Sequence, residues 1–296
     1  MPPISDRWFL TEALNKTDLG IKVAGGKGKT SRKAPEEIVQ GSARFNISTH
    51  KTESLVYSSR MSAKVDNALV QDNYQLYHHS FFFTEKGDWA VIQQGMNDAN
   101  RYARRYHWKS GVMDFVQEPH AAICGEKEQD VLNLTLKDHR ETQKSSLDLV
   151  NSGDALRFLN TSSQKTLGEF FGQESVLHMP VSHIFPRMRQ RNLETLRKAK
   201  EYQAAHYEEL VALPGIGAQT LRALALASEL VYGTQLLWKD PVKYSFAHGG
   251  KDSVPYSIDR KHYDGTVQIL KQAIEEMKLG EKEKMKALQR LTAFAY

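Results

Sequence analysis

Side chains that can bind a divalent metal ion or transfer a proton are gathered between residues 66 and 120: Asp66, Asp72, His78, His79, Glu118 and His120. Magnesium and manganese prefer carboxylate ligands, and a bound metal ion can activate water for phosphodiester cleavage. We therefore expect a magnesium or manganese site whose ligands come from Asp66, Asp72, His79, Glu118 and His120. Asp66, Asp72 and His79 would be catalytic, and Lys64 would stabilise charge or position the water.

The spacing of these residues does not itself define a nuclease. The usual signature, an Asp followed by Glu-x-Lys, is absent in clean form. On a strand that starts at Asp72, the side chains of Asp72 and His78 would share one face and His79 would lie on the other. Polar residues on a β-hairpin also make structural hydrogen bonds, and that alternative stays open.

A second motif, Leu213-Pro214-Gly215-Ile216-Gly217, lies between two amphipathic helical patterns. The longer pattern Leu-Pro-Gly-Ile-Gly-x-x-Thr-x-Arg-x-Leu is typical of a helix-hairpin-helix element that contacts the DNA backbone. Glycines let main-chain N–H groups approach a ligand, and the start of the second helix favours an anion such as phosphate. The expected DNA-contacting residues are Leu213, Gly215, Ile216, Gly217, Thr220 and Arg222, with Ile216 also anchoring the hairpin in the core. The alternative is an ordinary Pro-Gly turn.

Basic residues elsewhere would extend this surface. The net charge is +5 and the pI is about 9.0, which favours a polyanionic partner without proving one. Arg101, Arg104 and Arg105 alternate with aromatic residues, and Lys27 and Lys29 lie in a glycine-rich loop. We expect all five to contact DNA phosphates. A solvated face on a helix is the alternative for the arginines.

The glycine-rich loop only partly matches a nucleotide-binding P-loop. Gly28-Lys29-Thr30 fits its end, but Val23 stands where the earlier glycine is required. A helix is expected to begin near Pro35 and not at Lys29. The loop therefore favours a phosphate contact or a plain surface loop over ATP binding.

The expected elements form an α+β protein. We predict a strand over 19–24, a β-hairpin from strands 74–83 and 89–94, and a helix over 97–108. A polar connection should follow over 126–146, then helices over 193–210 and 219–232, and one or two helices within 267–295 that are broken at Gly280. This gives an α+β region at residues 1–145, which would carry any chemistry, and a helical region with the hairpin at residues 146–296.

One alternative chemistry involves the loop after the hairpin. Asp259 follows Gly249-Gly250 and Pro255, an order similar to that in helix-hairpin-helix DNA glycosylases. Gln219 stands where bifunctional members carry a nucleophilic lysine, and the loop is longer than in those enzymes. A metal-dependent nuclease is therefore the leading hypothesis, ahead of a non-enzymatic DNA-binding or chromatin protein and of a glycosylase.

Several long motifs resemble a prokaryotic family catalogued as domain of unknown function 763. They are Gly25-Gly26-Lys27-Gly28-Lys29-Thr30-Ser31, residues 59–66 (SRMSAKVD), Gln93-Gln94-Gly95-Met96, residues 103–108 (ARRYHW) and residues 246–252 (FAHGGKD). The resemblance extends over nearly the whole chain from about Gly20. The resemblance implies a protein that binds DNA through the same hairpin. It does not indicate a reaction.

Composition excludes several classes. Cys124 is the single cysteine, so neither a disulfide framework nor a cysteine-rich zinc site is possible. No apolar run approaches the ~20 residues that span a bilayer. We expect a cytoplasmic, nucleoid-associated protein with DNA as its partner and no membrane association.

Overall fold

The computed structural model describes residue 15, residues 20–159, 180, 186 and 188–242, and isolated positions between 260 and 289. The chain divides into one unit of Val23–Tyr244 and another of Met1–Lys22 with Ser245–Tyr296. The described positions of the second unit beyond residue 260 are helical, as expected for 267–295. Asp259 lies outside the described residues. The candidate site residues discussed below all belong to the first unit.

A five-stranded sheet is the centre of the first unit. Its strands are β1 (Ile21–Lys27), β3 (Gln75–Thr84), β4 (Trp89–Met96), β5 (Ala103–Lys109) and β6 (Ala122–Cys124), in the order β1-β3-β4-β5-β6. The pairs β3–β4, β4–β5 and β5–β6 are antiparallel. The short strands β2 (Val70–Gln71) and β7 (Leu132–Asn133) form a separate antiparallel pair.

Side-chain alternation explains which face of the sheet is covered. Phe81 and Phe83 of β3, Val91 of β4, and Tyr106 and Trp108 of β5 are all buried on one face. Val91 lies opposite Trp108 in the strand register. Successive side chains of a strand point to opposite faces, so this set shares one face of the sheet. Phe81, Phe83, Val91 and Trp108 belong to the main hydrophobic core, and Tyr106 packs in a smaller cluster with Tyr74 and Ile123.

Two helices lie on that face. Helix α1 (Ala34–Arg44) has Pro35 in its first turn, and Gly41 lies so close to Phe83 that an added Cβ would come within 2.6 Å of the ring. Helix α2 (Thr49–Ala68) begins at Ser48, whose side chain accepts a hydrogen bond from the backbone N–H of Lys51. The buried side of α2 carries polar residues as well as apolar ones, and this places side chains of the candidate site against the sheet.

The helical region follows with α3 (Arg140–Ser152), α4 (Asp154–Leu159), α5 (Gln190–Tyr202), α6 (Tyr207–Ala212) and α7 (Ala218–Tyr232). Helix α3 packs mainly against α7, and α2 contacts both α6 and α7. A single hydrophobic core contains both Phe81 of the sheet and Leu224 of α7. The core is therefore shared by residues from both of the regions expected from the sequence.

The α+β class, the β3–β4 hairpin and the helix starting at Pro35 are confirmed. Three predictions are wrong. The helix expected over 193–210 is interrupted, because α5 ends at Tyr202, Gln203 has φ +53 and α6 begins only at Tyr207. Residues 103–109 form a strand and not a helix, because Arg104, Tyr106 and Trp108 alternate into the core. Residues 126–146 are not a plain connection, because they contain β7 and the start of α3. Among the described residues no helix is long and apolar enough to cross a membrane.

Candidate nucleic-acid interface

A tight turn connects α6 to α7. The carbonyl oxygen of Leu213 accepts a hydrogen bond of 3.3 Å from the N–H of Ile216, and Pro214 and Gly215 occupy the two central positions. Gly215 has φ +86, which a type II turn requires at its second central position. Ile216 is fully buried, so it anchors the turn in the core as expected, and its side chain is not available for the DNA contact expected from the sequence.

The start of α7 is open to solvent. Gly217 precedes the helix in an extended conformation (φ −130, ψ −177), and no side chain caps the helix there. A Cβ added at Gly217 would meet nothing within 4 Å. Since the first N–H groups of a helix have no partner within the helix, this end presents donors that an anion can approach.

Helix α5 supports the turn from behind. A Cβ at Gly215 would come within 2.8 Å of the Thr195 hydroxyl, and the Asn192 amide donates a hydrogen bond of 3.2 Å to the Thr220 hydroxyl. Thr220 is fully buried. It therefore positions α7 from within the protein and is not available for the DNA contact expected from the sequence.

Lys64, expected to be catalytic, lies at the turn. Its ammonium group donates a hydrogen bond of 3.2 Å to the carbonyl oxygen of Leu213. Partial burial lowers the pKa of Lys64. No ion pair joins Lys64 to a carboxylate within the described part of the chain, so its charge is not neutralised there.

Arg222 lies one turn into α7. Its Nε donates a hydrogen bond of 2.5 Å to Gln71, whose amide nitrogen in turn donates to the carbonyl oxygen of Ala218 at 3.0 Å. Burial lowers the pKa of Arg222, and the guanidinium has no carboxylate partner among the residues described. Gln71 thus holds Arg222 beside the start of the helix. No sequence pattern indicates this contact, because Gln71 and Arg222 are 151 positions apart.

A groove with a cavity volume of about 810 Å³ adjoins Arg222. The groove is lined by Ala218, Gln219 and Arg222 of α7 and by Asn73 and Gln75 near the start of β3. Pro186 and the loop that joins β4 to β5 also line the groove. The groove therefore begins where the exposed end of α7 lies.

Asp66 does not line the groove and lies inside the core. It is fully buried and bonded through both carboxylate oxygens: Oδ1 to His120 Nε2 at 2.5 Å, and Oδ2 to the amide of Gln93 at 2.5 Å and to Trp108 Nε1 at 3.1 Å. Burial raises the pKa of Asp66, and His120 opposes that shift.

His79 extends this network. Because the Gln93 amide nitrogen donates to Asp66, the Gln93 carbonyl oxygen must accept from His79 Nδ1 at 3.0 Å. His79 Nε2 is then an acceptor for the Ser59 hydroxyl at 2.9 Å. Burial lowers the pKa of His79, which is consistent with this neutral form. The network joins α2 to the sheet.

Asp72 belongs to a second buried network. Arg104 donates to Asp72 at 2.9 Å and to Asp240 at 2.7 Å, and the Tyr106 hydroxyl donates to Asp72 at 2.7 Å. Arg104 is fully buried and packs over the ring of Tyr74. The expected DNA contact by Arg104 is therefore corrected: its guanidinium bridges two carboxylates in the interior.

The five expected metal ligands are thus divided. Asp66, His79 and His120 belong to the first network, Asp72 to the second, and Glu118 pairs with Lys137 at 3.7 Å on the surface. At the described positions, no three His, Cys, Asp or Glu side chains form a group that could hold a metal ion. The networks also contain Gln93, Trp108 and Asp240, which the sequence did not indicate as site residues. Gln93 and Trp108 lie in the Gln93-Gln94-Gly95-Met96 and 103–108 motifs.

The remaining expected DNA contacts lie on the surface or near it. Arg101 is exposed with φ +60, and Arg105 is partly buried in β5. Lys27 is exposed with its ammonium group 5.8 Å from the Tyr77 ring centroid, and Lys29 is exposed in a 3-10 turn over Gly28–Lys33. This turn precedes α1, which begins at Ala34, so the loop does not lead directly into a helix as a P-loop does.

The geometry defines an α+β protein with a sheet covered by two helices and a turn between α6 and α7 whose outer side is open. A family model described as protein of unknown function (DUF763) matches residues 8–258, and the chain belongs to that family. No curated protein and no solved structure matched the chain.

Proposed function

We propose that this protein binds DNA by its phosphate backbone at the turn formed by residues 213–217, acting as a helix-hairpin-helix element. The observation that supports this most directly is the open start of α7 at Gly217, next to two cations, Lys64 and Arg222. A phosphate there would accept hydrogen bonds from main-chain N–H groups and lie near both positive charges.

The state of the two cations supports an anionic ligand. Partial burial lowers the pKa of both groups, so the charged form is less stable than in water. An opposite charge restores that stability, and the described part of the chain provides no carboxylate to either one. A DNA phosphate would fill this role at both positions.

Surface charge near the groove is compatible with this proposal. Arg189 and Arg191 are exposed at the start of α5, where no acidic residue lies in the first turn. Cations at this end of a helix are disfavoured by the helix dipole, whereas a bound phosphate would be favoured. These arginines and Lys27, Lys29 and Arg101 would add phosphate contacts without reading bases.

The test is the salt dependence of binding to labelled duplexes of unrelated sequences, followed by fluorescence anisotropy. Backbone contacts predict similar affinities for all sequences and a linear fall of log K with log salt, with a slope of about −0.9 per phosphate neutralised. Affinity that is independent of salt, or the absence of binding at low salt, would contradict the proposal.

Metal-dependent cleavage stays a separate prediction. The expected ligands are divided between two saturated networks and the surface, so none of them is assigned a step here. Incubating the protein with labelled single- and double-stranded DNA in magnesium, manganese or chelator tests it directly. Cleavage would require a site outside the two networks, and intact DNA under all conditions would favour a non-enzymatic DNA-binding protein.

A further inference from the structure

We propose that the groove beside the hairpin holds an unpaired nucleotide of the bound DNA strand. This inference rests on the proposed function, since the hairpin would bring the strand to the groove. The volume of about 810 Å³ lies within the range of pockets that enclose small organic molecules.

Carboxamide groups give the groove its chemistry. Asn67, Asn73 and Gln75 line it with exposed side chains that make no side-chain hydrogen bond to another described residue. Each amide offers both donors and an acceptor, which matches the mixed edge of a nucleobase. In a duplex the Watson–Crick edge is already paired, so an unpaired base is the one that can offer this edge to the three amides.

The charges within the groove fit one phosphate at one end. Arg222 lies at the hairpin end and has no carboxylate partner in the described chain. Asp72 also lines the groove, but its oxygens accept hydrogen bonds from Arg104, Tyr106 and the N–H of Tyr74. Its carboxylate is thus engaged by donors from the interior.

The position of the groove favours a nucleotide within a DNA strand over a free metabolite as the bound group. Ala218 and Gln219, in the first turn of α7, belong both to its wall and to the proposed phosphate site. A strand whose phosphate lies at Gly217 therefore has its neighbouring nucleotide at the mouth of the groove. Asp98, exposed on the opposite rim, would disfavour a second phosphate there.

The experiment compares two labelled DNA molecules of equal length, one fully paired and one with a single unpaired nucleotide in the middle. The full-length protein should bind the second about ten-fold more tightly, the scale of one specific base contact. Asn67→Ala and Gln75→Ala should each reduce that preference and leave affinity for the paired duplex unchanged. Asn73 is not substituted because its φ of +66 favours asparagine. Gln40→Ala, which removes an exposed amide from α1, is the matched control.

The outcomes separate the two proposals. Binding of both DNA molecules with equal affinity, unchanged in Asn67→Ala and Gln75→Ala, overturns the groove assignment and leaves the hairpin proposal standing. Binding of neither DNA overturns the proposed function itself, and the groove assignment with it. Equal loss of preference in Gln40→Ala would also overturn the groove assignment.

Discussion

The Lys64 ammonium group and the Leu213 carbonyl oxygen are 3.2 Å apart, although 149 positions separate them in the sequence. This hydrogen bond connects α2, which packs on the sheet, to the turn between α6 and α7. Lys64, which the sequence predicted to assist catalysis, is thus part of the proposed DNA-binding surface.

Replacing Lys64 by methionine should weaken DNA binding with little loss of stability. The charge that would face the phosphate disappears, so the slope of log K against log salt should become shallower by about 0.9. Loss of one hydrogen bond should lower the free energy of unfolding by about 1 kcal/mol. Arg44→Met, an exposed cation at the end of α1, is the control and should leave the slope unchanged. An unaltered slope in Lys64→Met would remove this residue from the interface.

Replacing Arg104 by methionine should destabilise the protein strongly. The guanidinium bridges Asp72 and Asp240 in the core, and its removal leaves two buried carboxylates without their cation. Breaking a buried ion pair in this way costs about 3–5 kcal/mol. Urea denaturation measures the change, with Arg105→Met in the same strand as the comparison. A loss below ~1 kcal/mol would show that Arg104 is not buried in this network.

The Asp66 network predicts a structural and not a catalytic effect. In Asp66→Asn one oxygen becomes an NH₂ group, which would face the donors of Gln93 and Trp108 or displace His120. We expect a loss of about 1–3 kcal/mol in the free energy of unfolding, because a buried donor loses its acceptor. Asp88→Asn, exposed in the β3–β4 turn, should change stability little. If folded Asp66→Asn instead lost a DNA-cleaving activity while keeping wild-type stability, the catalytic hypothesis would be favoured.

Buried His79 and His139 should contribute a loss of stability as the pH drops below about 6.5. Burial lowers the pKa of His79 and of His139 from the ordinary value of 6.5, so the folded state holds both neutral. Below 6.5 the unfolded chain takes up protons that the folded chain does not, so the stabilising contribution is present above that pH and lost on acidification. Each group adds a slope of up to about 1.4 kcal/mol per pH unit. Urea denaturation at pH 7.5 and 5.5 measures it, and His79→Gln should reduce the slope. Equal slopes in wild type and His79→Gln would contradict a buried neutral His79.

Local patterns predicted the parts of the fold that depend on neighbours in the chain. The alternating apolar residues around Phe81 and the proline in the first turn of α1 were sufficient for the hairpin and the helix start. Residues 103–109 were predicted as a helix because Tyr102 and Tyr106 fit helical spacing. They form a strand in which Arg104 points inward and pairs with Asp72 and Asp240, two partners that are distant in the sequence.

The candidate site was predicted only in part for the same reason. The turn over residues 213–217 is visible in five consecutive residues, but its two flanking cations are placed by contacts with Leu213 and Gln71. Asp66 and Asp72 have carboxylate side chains, which are typical ligands of a metal site. Their partners come from strands β4 and β5 and, for Asp66, also from His120. No spacing along the sequence reveals such partners.

The most direct test of the account is the affinity of Gly217→Glu for a labelled DNA duplex. The extended backbone accepts any side chain, an added Cβ meets no atom within 4 Å, and a carboxylate suits the positive end of α7, so the variant should fold with wild-type stability. The new charge would occupy the place of the phosphate, and like-charge contact costs several kcal/mol, so affinity should fall by at least about ten-fold. Ser54→Glu, an exposed position ten residues before Lys64 and thus ~15 Å along α2, is the charge-matched control and should bind nearly as wild type. Wild-type affinity in a folded Gly217→Glu, or an equal loss in Ser54→Glu, would contradict the assignment of the hairpin as the DNA-binding element.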